Sequence, residues 1–163
     1  MELWQQLIVI AVSLIGGGIA GALVGTWIQR RTIRDERAFR QKTELCNAMH
    51  GLLMEIEENL VLAKIDPIGM RLLFPTDMWE VHKGKVGDLP LTLQESLYKA
   101  YSSIRRINTI TQTALAYAHR YHIGDFDKRY LDEVREANGP LCKAREELAK
   151  WLVEMGCGKP RSG

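Results

Sequence analysis

Residues 7–28, LIVIAVSLIGGGIAGALVGTWI, form a run of 22 residues without a charge, in which Ser13 and Thr26 are the only polar side chains. A helix of this length extends about 33 Å, enough for a hydrocarbon core of about 30 Å. Trp4 and Trp27 flank the run, and a helix would place them about 34 Å apart, the separation of two headgroup boundaries. A transmembrane anchor over residues 1–29 is the expectation. A cleaved signal peptide fits less well. Residues 1–6 hold Glu2 and no Lys or Arg, and the run exceeds the usual apolar core, although Ala20 and Ala22 resemble a cleavage pair.

The flanks set the expected orientation. Residues 30–42 carry Arg30, Arg31, Arg34, Arg37, Arg40 and Lys42 against Asp35 and Glu36. Basic residues on one side only put the amino terminus outside and the long carboxyl part in the cytoplasm, at the inner (cytoplasmic) membrane. The five arginines are expected to set topology and to meet anionic lipid headgroups. A nucleic-acid partner is not expected, because acids interrupt the basic stretch and Phe39 is its only aromatic. The chain's net charge of +2 points the same way.

Gly17, Gly21 and Gly25 recur at four-residue spacing and would share one helix face. Small residues there let two helix backbones approach closely in lipid, so a homo-oligomer through this face is expected. The run has no ionisable residue to mark an ion path.

Past the stalk, three- and four-residue spacing of Leu45, Met49, Leu52, Ile56 and Leu60 predicts a helix over residues 43–65. Only Gly51 interrupts it, so the anchor and this helix are candidates for one continuous rod. Residues 66–91 form an irregular connection in which Thr76 and Asp77 could cap a short helix with Trp79 facing inward. A capping-box pattern at Thr92 and Glu95 opens a long helix to about His122. A last helix covers residues 126–155, kinked or briefly broken near Asn138-Gly139-Pro140. The expected fold is all-α: an N-terminal transmembrane helix (1–29), a basic juxtamembrane stalk (30–42), a cytoplasmic antiparallel bundle of three long helices plus one short one (43–156), and a flexible tail (157–163). In a down-up-down path, Asn108 and Asn138 fall where they could meet, while Asn59 faces the connection carrying Trp79.

Chemistry is thinly signalled. Cys46, Cys142 and Cys157 are odd in number and expected on the cytoplasmic side, which argues against disulfides. Cys46 and Cys142 read as packing residues and Cys157 as an accessible thiol. His119 and His122 share a helix face, but a metal site would need further ligands such as His50 or His82. Glu55, Glu57, Glu58 and Asp66 read as a solvated acidic patch. No phosphate loop, nucleophile elbow or Cys-x-x-Cys is present, and neither a cofactor, a metal nor an enzymatic activity is expected.

Glu55-Ile56-x-x-Asn59, Trp79-Glu80 and Tyr101-x-x-Ile104-x-x-Ile107-Asn108 resemble a loose group of uncharacterised bacterial single-pass membrane-anchored helical-bundle proteins, over about residues 50–110. The resemblance implies contact between Asn59, Trp79 and Asn108, in competition with the Asn108–Asn138 pairing, and implies no activity. The functional expectation is a non-enzymatic, membrane-anchored helical interaction module with a cytoplasmic protein partner. The alternatives are a membrane-permeabilising, holin-like or toxin-like effector, or a metal-binding bundle enzyme.

Overall fold

The computed structural model describes residues 2–65, 72–117 and 124–158, without the side chains of residues 2, 3, 5–26, 28, 117 and 124–126. All regular structure among the described residues is helical: α1 (Glu2–Leu62), α2 (Asp77–His82), a 3₁₀ helix (Lys83–Asp88), α3 (Leu91–Tyr117) and α4 (Gly124–Glu154). The chain divides into two units, Met1–Thr43 and Glu44–Gly163.

The first unit is a single stretch of α1. Its described side chains, from Trp27 through the stalk arginines to Thr43, are exposed. Among the described residues no helix is long and apolar enough to cross a membrane. The side chains of residues 5–26, which make up most of the uncharged run and include Gly17, Gly21 and Gly25, lie outside the described residues.

The second unit is built on the stripes read from the sequence. Met49, Leu52 and Ile56 from α1, Leu97, Ile104 and Ile107 from α3, and Leu141 and Leu148 from α4 are completely buried. Each such side chain contributes about 1.5–3 kcal/mol through removal from water. Ala100, Ala137 and Ala144 are equally buried, and their small side chains let the helices approach. Tyr130 and Trp151 of α4 also join the core, whereas Leu115 of α3 is 61% exposed.

Side-chain contacts fix the direction of each element and correct the simple down-up-down path. Glu44 pairs with Lys85 at 3.7 Å. A Cβ on Gly51 would stand 3.3 Å from the Met78 sulfur, so the missing side chain admits α2. Glu55 accepts from Met78 and Trp79, and Asn59 donates to Pro75. Numbers rise along α1 as they fall along the connection, which therefore runs back beside α1. Then α3 sets out from the Glu44 end, parallel to α1: its Tyr101 reaches Glu55 and its Asn108 reaches Phe74, next to the partner of Asn59. The last helix, α4, returns antiparallel to α3, with Arg106 bonded to Glu133 at 2.8 Å.

This path separates the two asparagines expected to pair. With Arg106 level with Glu133, Asn108 stands about 10 Å along the axis from Asn138. Asn138 is moreover exposed, and its side-chain oxygen takes the Cys142 thiol at 3.8 Å.

Helix ends differ from the expected caps. Thr76 precedes α2 without a side-chain cap bond. At the start of α3 the working side chain is Gln94, whose amide donates back to the Leu89 carbonyl at 2.7 Å. Residues 118–123, with His119 and His122, lie outside the described residues. Pro140 sits inside α4, which is uninterrupted as a helix.

The expectation of free cysteines is also corrected: Cys46 and Cys157 form a disulfide with Cα atoms 5.5 Å apart, and among the described residues Cys142 is the free cysteine. Proximity comes from the end of α4. Gly156 takes φ +63°, its amide bonds Val153, and the Cys157 amide bonds Leu152 at 2.9 Å. This is a Schellman motif, in which a glycine free of Cβ hindrance turns the chain back over its own helix. Cys157 thereby faces α1, and it begins an ordered contact where a flexible tail was expected.

Candidate functional site

Polar side chains from three helices converge on one feature, the connection that runs back along α1. The Asn108 amide reads both backbone groups of Phe74, accepting from its N–H at 2.8 Å and donating to its carbonyl at 2.8 Å. Asn59, fully buried, donates to the Pro75 carbonyl at 3.0 Å, and its own Oδ1 has no protein partner among the described residues. The Tyr130 hydroxyl accepts from the Leu72 amide at 3.2 Å. A chain segment without its own ladder must satisfy its backbone elsewhere, and here the helices' side chains do it.

Glu55 is the centre of the arrangement. Its carboxylate is buried and receives the Met78 amide at 2.7 Å, the Trp79 amide at 3.1 Å and the Tyr101 hydroxyl at 2.7 Å. The first two are orphan donors of the first turn of α2, so a residue on α1 caps a helix that its own Thr76 leaves uncapped. The solvated acidic patch is corrected at this position, while Glu57 and Glu58 are exposed. Trp79 lies flat on Tyr101, centroids 4.3 Å apart, and meets Tyr98 edge-on at 5.2 Å.

These environments also set the proton inventory. Burial, followed by the bond to Glu55, pushes the Tyr101 hydroxyl well above the usual tyrosine range. Burial raises Tyr130 as well, opposed by its bond to Leu72. Both phenols therefore hold their protons at neutral pH. Three donors already engage Glu55, so the geometry describes a cap and a clamp. A cleft of about 140 Å³ opens beside it, walled by Thr76, Trp79, Tyr101, Arg105 and Gln112. A wider groove of about 520 Å³ follows the α3–α4 surface, where three arginines, Arg105, Arg106 and Arg129, face the carboxylates of Asp132, Glu133 and Glu136. Its charges balance locally.

The other residues singled out by sequence are dispersed. Trp4 and Trp27 are 75% and 62% exposed, and the Arg31 guanidinium lies 5.6 Å from the Trp27 ring centroid. Arg30, Arg34, Arg37 and Arg40 are exposed along the same helix. Gly17, Gly21 and Gly25 fall among side chains outside the description. Among the described residues no group of three His, Cys, Asp or Glu side chains could hold a metal. His82 is half-buried beside Gly51, and the His50 Nε2 bonds the Gly158 carbonyl at 3.0 Å. Sequence reasoning missed Glu55, yet its place between Leu52, Ile56 and Asn59 on the inward stripe carried the signal.

No family model, curated protein or solved structure matches the chain.

Proposed function

We propose that the chain is a single-pass, membrane-anchored helical interaction module without enzymatic activity. Residues 7–28 cross the inner membrane with Trp4 and Trp27 at its two boundaries. Arg30, Arg31, Arg34, Arg37 and Arg40 lie against headgroup phosphates on the cytoplasmic side, and the bundle presents its surface to a cytoplasmic protein. Gly17, Gly21 and Gly25 pair the anchor with a second copy. The observation that carries the reading is the uncharged 22-residue run, with basic residues on one flank alone. The saturation of Glu55 supports a structural use of the buried polar groups.

Extraction of membranes at alkaline pH tests the anchor: the protein is expected in the pellet, and recovery in the supernatant would sink the reading. A carboxyl-terminal reporter active only in the cytoplasm tests orientation. Crosslinking in membranes is expected to give dimers or higher species that diminish in Gly21→Ile, and an unchanged pattern removes the pairing. One observation favours the opposite orientation. Disulfides persist mainly in oxidising compartments, and Cys46–Cys157 would be at home there. The reporter separates the two.

A further inference from the structure

We propose that Cys46 and Cys157 are a redox-active pair that opens and closes by exchange with a small cytoplasmic thiol and its disulfide, fastening or releasing the carboxyl-terminal tail on α1. The proposal rests on the cytoplasmic orientation proposed above, because a reducing compartment makes a bond of this kind reversible instead of permanent.

Three features of the site fit reversible use. First, the two sulfurs differ in access. Cys46 is buried at 8% exposure, whereas Cys157 is half-buried between exposed Gly156 and Gly158. An incoming thiolate therefore meets the Cys157 sulfur. It forms a bond to that sulfur, breaks the Cys46–Cys157 bond and expels Cys46 as a thiolate that takes up a proton. A second small thiol attacks the mixed disulfide, leaving as the oxidised small disulfide and returning Cys157 to the thiol. Two small thiols are oxidised and one protein disulfide is reduced.

Second, the partners stay close when the bond is open. Trp151 and Leu152 keep the end of α4 in the core, and the Schellman hydrogen bonds fix the Cys157 backbone. Cα atoms 5.5 Å apart can be bridged without backbone movement, so closure needs no refolding. Third, opening loosens only the tail. Cys46 and His50 lie one turn apart on the same face of α1 and hold consecutive tail residues, Cys157 by the disulfide and Gly158 by a hydrogen bond that the imidazole donates. With the disulfide open, that solvent-exposed hydrogen bond still ties α1 to Gly158.

The test uses the full-length protein in growing cells, with Cys142→Ser so that only the pair is counted. Cells are quenched in acid and the protein is alkylated with a mass-tagged maleimide, with and without prior exposure to the thiol oxidant diamide. The same strain carries the carboxyl-terminal orientation reporter. A cytoplasmic reporter with two tags in unstressed cells, none after diamide, and two again within minutes of its removal is the expected result. No tags in unstressed cells means a permanent structural bond and overturns the proposal, as do two tags retained after diamide. A reporter on the oxidising side overturns the orientation and the switch together. A cytoplasmic reporter with a pair that does not cycle overturns the switch alone. Cys157→Ser must abolish the diamide response, and persistence of the response there assigns the oxidation elsewhere and refutes the pairing.

Discussion

Residues 72–82 and residues 156–158 are both laid against α1, but they are fastened by different physics. The first segment is held by buried and half-buried polar side chains from α1, α3 and α4: Glu55, Asn59, Asn108 and Tyr130. The second is turned back by its backbone bonds to the end of α4 and tied to α1 by one covalent bond and one solvent-exposed hydrogen bond. Losing a partner in the first case strands buried donors and acceptors, which cost about 1–3 kcal/mol each. In the second, water replaces the exposed hydrogen bond, and opening the disulfide, which closes a loop over 111 residues, lowers stability by about 2–5 kcal/mol through the freed unfolded chain while the fold inside stays packed. The crossing segment therefore specifies the path of the chain, and the tail is the part that can be let go.

The comparison is broken most directly at Glu55. Glu55→Ala strands the Met78 and Trp79 amides and the Tyr101 hydroxyl together. The expected loss is about 3–5 kcal/mol by urea denaturation of the full-length chain, less than three full penalties because water can enter the smaller side chain's space. Glu55→Gln keeps one acceptor oxygen and should fall between the two. A loss under 1 kcal/mol for Glu55→Ala would mean that shielded hydrogen bonds do not hold the crossing segment.

Asparagine sharpens the contrast within one residue type. Asn108→Ala removes both bonds to Phe74 and is expected to cost about 2–3 kcal/mol, while exposed Asn138→Ala should stay within about 0.5 kcal/mol. Equal effects, read from the same denaturation curves, would contradict the different surroundings of the two side chains.

How far the sequence reveals this arrangement depends on which interactions are local. Stripes such as Met49, Leu52 and Ile56 are legible because 3.6-residue periodicity is written along one helix. The inward Asn59 follows from the same phase, while the short helix around Trp79 is read from a start signal at Thr76 and Asp77 that makes no side-chain cap bond. The direction of α3 is not legible, since it is decided by Asn108 reading the backbone of Phe74, 34 residues earlier. Glu55 looks like one acid among several because its partners are two amides across the fold. The disulfide was hidden by an odd cysteine count and by reasoning from compartment. Gly156, directly after the last residues of α4, was nevertheless a Schellman signal that would have turned Cys157 back toward the bundle. The proposed anchor rests on the uncharged run alone, and fractionation is its test.

The smallest effect separates hydrogen bonding from packing at the same site. Tyr101→Phe keeps the ring stacked on Trp79 and removes only the donor to Glu55, so about 1–2 kcal/mol should be lost at neutral pH. Its pH dependence has a definite sign. The folded-state pKa of Tyr101 is raised by burial and by Glu55, against about 10 in the unfolded chain. Below pH ~10 both states hold the proton and the contribution is complete. As pH rises above that value the unfolded chain releases its proton and the folded chain does not, so stability falls by about 1.4 kcal/mol per pH unit for this tyrosine. Tyr130, also raised, adds a slope of the same sign. In a Cys46→Ser, Cys157→Ser background, which removes alkaline loss of the disulfide, stability measured from pH 9 to 11 should decline less steeply for Tyr101→Phe than for its parent. Parallel curves would show that the Tyr101 proton is not held by the fold, and the contrast between a shielded segment and an open tail would lose its clearest mark.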